Sequence, residues 1–289
     1  MIDPGWSAAV AFACVLVGDQ VNRRLFGWLP DDPPRAGRKS HARPMTLAGA
    51  LMAPAILLYC GLAELWLLAA AVAVVTAVGF EDDRRKELGD SLGESGLDWR
   101  WKALGLVAAA ALVACEVAEP VTEPWLWSSL FALTFVITNA VNFLDNTDGV
   151  AAGIAGALLL LLGLGPLPPG PCQSVSLAAG FAALGFLPFN WPRPRVFLGD
   201  SGAYLLGICT SFAVAASAAT ELKWLLAATV PLADFTQVVL MRLWIGVPPW
   251  VGDRRHLTHI AQNLGLHRAA VAPVFAAIAV GTALIARVI

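Results

Sequence analysis

Three short segments of the sequence carry acidic or amide side chains that could bind a cation. In one of them, three such residues recur at intervals of three, a spacing that places them on one face of a helix. Carboxylate and amide oxygens suit a hard divalent cation, with Mg²⁺ the leading candidate and Mn²⁺ the alternative. Taken singly, each aspartate could equally be a helix cap or a solvated charge. The residues are Asp82 and Asp83, then Asn142, Asp145 and Asp148, then Asp200.

A fourth segment, Asp253-Arg254-Arg255-His256-Leu257-Thr258-His259, is basic and contains two histidines. His256 and His259 are three residues apart, so on a helix they would share a face with the arginines. Such a group suits recognition of a diphosphate. The alternatives are a zinc pair, for which no third ligand is evident, and a basic loop that binds anionic lipid.

The elements that position these segments are predicted to be membrane helices. Of 289 residues, 58% are apolar and 14% are charged, and the mean hydropathy is +0.69. A soluble protein usually carries about 25% charged residues, so this chain has too little polar surface to cover itself in water. The net charge of −2 gives no indication of nucleic-acid binding. The five cysteines show no metal-binding spacing.

The apolar runs predict an all-α integral membrane protein of about ten transmembrane helices, forming one polytopic domain over residues 1–289. No basic region precedes the first run, so we expect it to be a retained span and not a cleaved signal peptide. A spanning helix needs roughly 20 apolar residues, and shorter runs down to about 17 still qualify. The predicted spans are 5–22, 46–63, 65–80, 102–119, 125–142, 150–165, 174–189, 202–220, 222–242 and 269–287.

Charge asymmetry predicts the orientation of these spans. With ten spans, alternate loops fall on two sides, and all Lys and Arg residues except Lys223 and Arg287 lie in or beside one set of loops. The positive-inside rule makes that set cytoplasmic and both termini periplasmic, in a bacterial inner membrane. All four polar segments then lie at the cytoplasmic face. Carboxylates near membrane depth are costly and usually line a polar cavity. A transporter and a lipid phosphatase remain as rival interpretations of such a cavity.

From residue 31 to 268 the motifs resemble, in order, those of the polyprenyl-phosphate N-acetylhexosamine-1-phosphate transferase superfamily, also called glycosyltransferase family 4. The paired aspartates look like its paired-aspartate motif. The segment Phe197-Leu198-Gly199-Asp200-Ser201-Gly202 is similar to its metal-binding motif, and 253–259 to its histidine loop. The remaining matches are Arg38-Lys39-Ser40-His41 with Pro44 to Gly49, Arg100-Trp101-Lys102, Asn142 to Gly153, and Pro231, Asp234 and Arg242.

The resemblance implies a reaction and a role for each site residue. A sugar-1-phosphate would pass from a UDP-sugar to undecaprenyl phosphate, UMP would leave, and the product would start a cell-envelope glycan. Direct attack by the lipid phosphate is favoured, and a covalent aspartyl-phosphate is the alternative. The implied metal ligands are Asp200 and Asn142; the catalytic residues are Asp82, Asp83, Asp145 and Asp148; the substrate-binding residues are Lys102 for the lipid phosphate, Phe197 and Asn190 for uracil, and Arg255, His256 and His259 for the diphosphate.

The sequence departs from the family pattern at a few positions. Thr258 stands where the family often has a histidine, and Asn146-Thr147 replaces a more usual Gly-Leu or Gly-Ile. The short chain looks closer to the branch that starts surface polysaccharides than to the branch that transfers phospho-N-acetylmuramoyl-pentapeptide, which is the alternative. N-acetylglucosamine is the default sugar. Membrane lipids and a second copy of the chain, as a homodimer, are the other expected partners.

Overall fold

The computed structural model describes residues 3–22, 24, 27–32, 44–89, 96–249 and 254–289. Almost all of the regular structure in these residues is α-helical, and the only strand pair described joins two-residue strands. The helices are α1 Trp6–Val21, α2 Ala53–Leu62, α3 Trp66–Gly89, α4 Trp99–Val117, α5 Pro124–Leu144, α6 Val150–Leu164, α7 Pro171–Asn190, α8 Gly199–Thr220, α9 Thr229–Trp244, α10 Leu257–Asn263 and α11 Arg268–Ile285. The strands are β1 Asp31–Asp32 and β2 Met45–Thr46, and 3₁₀ helices Gly49–Met52 and Leu222–Ala228 precede α2 and α9.

Each of the ten predicted spans coincides with one of these helices, or with a 3₁₀ helix and the α-helix that follows it. The sharp turn required between α2 and α3 is present, and it is made at Glu64, whose φ of 58° lies in the left-handed region. Only α10 was not predicted as a helix, because it lies inside a polar loop. The all-α fold is therefore confirmed.

Five helical segments are long and apolar enough to cross a membrane: Pro124–Leu144, Pro171–Asn190, Gly199–Thr220, Leu222–Trp244 and Arg268–Ile285. Helices α3 and α4 are also longer than 18 residues, but α3 carries charged residues near its C-terminal end and α4 near both ends. The segments Trp6–Val21, Gly49–Leu62 and Val150–Leu164 are apolar but shorter. These helices fit a membrane-embedded protein, while the number of spans and the side of the termini stay predictions.

Helix α8 is the central element of the bundle. Of the 18 residues that form its most apolar stretch, 89% are buried, compared with 28% for the corresponding stretch of α11. Helix α8 packs against α3, α5 and α6. Small residues allow this close packing. A Cβ on Gly79 of α3 would lie 2.5 Å from the Cα of Ser201, so only glycine lets the two backbones approach here. This contact brings the charged end of α3 to the beginning of α8.

Candidate active site

Asp83 joins α3 to the first residues of α8. Its carboxylate oxygens accept the backbone N–H groups of Asp200 at 2.9 Å and Ser201 at 3.1 Å. The bonds cap a helix whose own N-cap residue, Leu198, supplies no side-chain acceptor. Gly199 makes the approach feasible, because its φ is +71° and a Cβ there would lie 2.6 Å from Asp83 Oδ2.

Asp82 lies beside the same helix terminus and is held by two lysines. The Nζ of Lys86 is 2.7 Å from Asp82 Oδ2 and 2.9 Å from Asp200 Oδ1. The Nζ of Lys102 is 3.0 Å from Asp82 Oδ1, which also accepts the backbone N–H of Leu97 at 2.6 Å. Both lysines thus border a group of carboxylates drawn from two helices. Lys102 is the residue that the resemblance assigns to the lipid phosphate, whereas Lys86 had no assigned role.

Asp82, Asp83 and Asp200 form a group that could hold a metal ion. One ligand oxygen from each lies within 4.8 Å of the others, and Asp82 and Asp83 are buried. Burial, followed by the negative charge of Asp200, raises the pKa of Asp83 to about 7 and also raises the pKa of Asp82. Crowded carboxylates that resist ionisation are stabilised by a bound cation. We refer to these three residues as the acidic cluster.

Asp145 and Asp148 lie in the loop between α5 and α6, near the acidic cluster. Burial raises the pKa of Asp145 well above its ordinary value, and the charges of Asp200, Asp83 and Asp148 raise it further. Asp148 pairs with Arg268 of α11 at 2.6 Å. The structure therefore brings Asp145 toward the cluster and ties Asp148 to another helix, while the catalytic roles of both stay predictions.

Asn190, at the end of α7, shapes this loop. The side chain is 2% exposed; its Oδ1 accepts the N–H of Gly149 at 2.8 Å, and its Nδ2 donates to the carbonyl of Val196 at 3.2 Å. Half-buried Phe197 follows, and its N–H donates to the carbonyl of Thr46 at 2.9 Å. Both residues connect loops, and their contact with a substrate stays a prediction.

The histidine segment is fixed by Asp234, a fully buried residue of α9. His256 Nδ1 lies 2.7 Å from Asp234 Oδ2, and the N–H of Leu257 donates to Asp234 Oδ1 at 2.7 Å. Because an ionised carboxylate can only accept, the bond to it is donated by Nδ1–H. Nε2 could donate to a ligand only when the ring carries a proton on both nitrogens. The ring of His259 is 6.1 Å from that of His256, whereas Arg255 is exposed.

Asn142 lacks a described contact with the acidic cluster. No described hydrogen bond is made by the side chain of Asn142, and its role as a metal ligand stays a prediction. Asp253 and the basic segment 38–41 lie outside the described residues.

The sequence from α3 to α8 matches a known protein family. The model of glycosyl transferase family 4 matches residues 65–218, a range that contains the acidic cluster and the loop with Asp145. The chain belongs to this family. The match covers more than half of the sequence and begins at α3, so it confirms the resemblance that the motifs indicated.

Several curated members of glycosyl transferase family 4 are similar to the chain. The decaprenyl-phosphate N-acetylglucosaminephosphotransferase of Mycobacterium leprae is 28% identical over 243 residues, 68% of this chain and 57% of the relative. The probable undecaprenyl-phosphate N-acetylglucosaminyl 1-phosphate transferase of Bacillus subtilis is 29% identical over 168 residues, 55% of this chain and 45% of the relative. The phospho-N-acetylmuramoyl-pentapeptide-transferase of Moorella thermoacetica is 38% identical over 122 residues, 38% of each. The chain therefore spans about half the length of these relatives.

Three residues contact predicted site residues without having been assigned a role from the sequence. Lys86 had a usable signal, since it lies four residues after Asp82 and therefore on the same helix face. Asp234 matched a family motif, but its contact with His256 could not be predicted from the sequence, because only helix packing brings the two together. Arg268 had no signal, since it meets Asp148 in the same way.

Proposed function

We propose that the protein transfers a sugar-1-phosphate from a UDP-sugar to a polyprenyl phosphate, with undecaprenyl phosphate as the default acceptor, and releases UMP. The observation that carries the proposal is the acidic cluster, bordered by Lys86 and Lys102, at one end of a bundle of apolar helices. Such a site offers both signs of charge to phosphate groups. The transferases among its relatives support the reaction class.

A divalent cation, Mg²⁺ or Mn²⁺, fits the acidic cluster. Oxygen ligands on three aspartates suit a hard cation. Burial, followed by the negative charge of Asp200, raises the pKa of Asp83, and a cation would favour its ionised form. Asp82, Asp83 and Asp200 would hold the ion, with Asn142 as a further candidate ligand. When bound, the cation supplies compensation for the charge of the diphosphate.

The lipid phosphate would lie beside the two lysines. Lys102 and Lys86 offer ammonium groups to its oxygens, while Asp82 orients them. One oxygen of the lipid phosphate attacks the β-phosphorus of the UDP-sugar, and the bond from that phosphorus to the bridging oxygen breaks, so UMP leaves. The second pKa of a phosphomonoester is about 6, so the nucleophile is largely ionised at neutral pH and Asp82 or Asp83 is needed only weakly as a base.

The sugar nucleotide would occupy the opposite part of the site. Phe197 would stack on uracil with Asn190 nearby, and His256, His259 and Arg255 would bind the diphosphate. His256 is suited to this role because the carboxylate of Asp234 holds its Nδ1, so that in the doubly protonated ring Nε2–H would donate to a phosphate oxygen. Asp145 and Asp148 would lie between the two substrates. We call the loop between α5 and α6 that bears them the catalytic loop.

The site would face the cytoplasm. We infer a single polytopic domain of ten spans in a bacterial inner membrane, with both termini periplasmic. The support is the charge asymmetry of the loops and the meeting of the charged end of α3 with the beginning of α8. A homodimer stays a prediction.

For the sugar, N-acetylglucosamine is the default, and UDP-N-acetylmuramoyl-pentapeptide is the alternative donor because relatives of that type also match.

A screen for UMP release tests the proposal. Purified protein is supplied with undecaprenyl phosphate, Mg²⁺ and each of a panel of UDP-sugars. We expect UMP only when both substrates are present. The rate of UMP release should fall by a factor on the order of 10² in the Asp82→Asn variant if Asp82 is the base, and a near-normal rate would remove that role. Free phosphate released from the lipid without any UDP-sugar would instead indicate a lipid phosphatase. Ion or solute flux in proteoliposomes without UMP would indicate a transporter.

A further inference from the structure

The short helix α10 is tied to the loop after α5 by a chain of side-chain hydrogen bonds. The hydroxyl of Thr258 donates to Asn146 Oδ1, and the hydroxyl of Thr147 donates to the same oxygen at 2.9 Å. Gln262 Nε2, one turn further along α10, donates to Thr147 Oγ1 at 3.3 Å. Asn146 Nδ2 donates to the carbonyl of Phe143 at 2.6 Å, which turns the amide oxygen toward the two hydroxyls. We call the bond between Asn146 and Thr258 the clasp.

The threonine end of the clasp is shielded from water. Thr258 is fully buried and Thr147 is 7% exposed, while Asn146 is half-buried. A buried hydroxyl is destabilising when it loses its hydrogen-bond partner, so burial favours this pairing. Helix α10 has only seven residues, and helices shorter than about 12 residues are marginal without tertiary contacts. Its position therefore depends on contacts such as the clasp.

The clasp joins two segments that bear candidate site residues. Asn146 directly follows Asp145, and Thr258 lies between His256 and His259 in the sequence. Asp234 anchors the beginning of α10 through Leu257 and His256, but it makes no described contact with the loop after α5. The clasp therefore links the segment that bears the histidines to the loop that bears Asp145, alongside the edge contact of the Phe143 ring with the His256 ring at 5.8 Å.

Both ends of the clasp are positions where this sequence departs from the pattern that it resembles. A glycine at position 146 would offer no side-chain acceptor, and a histidine at position 258 would have to fit where the threonine hydroxyl is buried against Asn146. The side chain that fits at position 258 therefore depends on the side chain at position 146.

We propose that Asn146 and Thr258 are a coupled pair of positioning residues that hold the histidine segment against the catalytic loop and thereby set the affinity for the uridine diphosphate part of the donor. The inference rests on the proposed function, since it assumes that His256 and His259 bind the diphosphate. The test uses UDP in place of the donor, because the uridine diphosphate part is common to every UDP-sugar.

A double-mutant cycle tests the pair. The variants Asn146→Ala, Thr258→Val and the double variant are titrated calorimetrically with UDP in the presence of Mg²⁺. We expect each single variant to weaken UDP binding by a factor on the order of 10, and the double variant to be no weaker than the worse single, because the same bond is lost. Thr258→Ser keeps the hydroxyl and should bind like the unaltered protein. Thr76→Val is the matched control, since that hydroxyl bonds only to the carbonyl of Val72 within its own helix.

Hydrogen exchange separates a failure of the clasp from a failure of the proposed function. Backbone amides of α10 should exchange faster in Thr258→Val than in Thr258→Ser, whether or not UDP binds. Unchanged exchange together with unchanged UDP affinity would overturn the inference. Absence of UDP binding by the unaltered protein would overturn the proposed function, and with it the binding role of the clasp. Faster amide exchange in Thr258→Val would still establish the contact in that case.

A reciprocal replacement tests the coupling from the other direction. Thr258→His alone forces an imidazole against the side chain of Asn146, and Asn146→Gly alone leaves a buried hydroxyl without its acceptor. The combined variant relieves both defects. We expect it to bind UDP at least about fivefold more tightly than Thr258→His alone, and equal affinities would contradict the coupling.

Discussion

Asp83 and Asp200 are joined side chain to backbone, with the carboxylate of Asp83 accepting the N–H of Asp200 at 2.9 Å. A carboxylate from α3 therefore caps α8, the central helix of the bundle. The same contact holds the Asp200 side chain where Lys86 reaches it at 2.9 Å. The contact that caps α8 therefore also helps to position the acidic cluster.

Gly199 is the residue on which this contact depends. Gly199→Ala should lower Tm by several degrees and abolish UMP release, because a Cβ would lie 2.6 Å from Asp83 Oδ2 and must break the capping bonds. Gly246→Ala is the control: its φ of +74° is equally left-handed, but nothing lies within 4 Å of the added Cβ. The control should cost only about 1 kcal/mol of backbone strain. Equal Tm losses would show that the capping contact is unimportant.

Mg²⁺ should stabilise the protein through the acidic cluster. A ligand that binds only the folded state raises Tm as its concentration exceeds Kd. We therefore expect Mg²⁺ to raise Tm of the unaltered protein, and the rise to vanish in Asp200→Ala or after addition of EDTA. Glu81→Gln removes an exposed carboxylate from the same end of α3 and should keep the full rise. A rise that persisted in Asp200→Ala would place the cation elsewhere.

Lys86 compensates the carboxylates when no cation is bound. Its ammonium pairs with Asp82 and Asp200, and although burial would lower its pKa, the charges of Asp200, Asp82 and Asp83 raise it above the ordinary value. Lys86→Met should lower Tm in EDTA and enlarge the Tm increase produced by Mg²⁺, since the cation then replaces the lost positive charge.

Arg85→Met is the matched control for Lys86. Arg85 pairs with Glu81 at 2.7 Å, but both side chains are exposed, and such pairs contribute about 0–1 kcal/mol. Its Tm should change little with or without Mg²⁺. A Mg²⁺ effect in Lys86→Met no larger than in the unaltered protein would contradict the compensation.

Asp234 should matter for nucleotide binding although it lies within α9. In Asp234 one carboxylate oxygen accepts from His256 and the other from Leu257. Asp234→Asn replaces one of these oxygens with an NH₂ group that cannot accept, so the imidazole loses its fixed orientation. Loss of a charge-assisted bond predicts about 10- to 100-fold weaker UDP binding by calorimetry. Glu221→Gln, in an exposed pair with Lys223, should bind UDP normally. Unchanged affinity in Asp234→Asn would remove the orienting role.

The sequence predicted the helices well because each is a long apolar run bounded by polar segments. Even the turn at Glu64 follows from the single polar residue between two runs. The convergence of Asp82, Asp83 and Asp200 could also be predicted, since charge asymmetry places these residues at one end of neighbouring helices.

Long-range partners could not be predicted in the same way. Asp234 lies 22 residues before His256, and Asn146 lies 112 residues before Thr258. No periodicity relates residues so far apart, and only helix packing brings them together. The sequence marked Asn146 and Thr258 as unusual, but the structure was needed to see that they touch.

The most direct test of the central claim follows the β-phosphorus of the donor. The UDP-sugar selected by the UMP screen is labelled with ³²P in its β-phosphate and incubated with purified protein, undecaprenyl phosphate and Mg²⁺, and the lipid extract is counted. Transfer of a sugar-1-phosphate predicts that the label enters the lipid fraction in equal amount to the UMP released. Label that stays in water as UDP or free phosphate would contradict the proposed reaction.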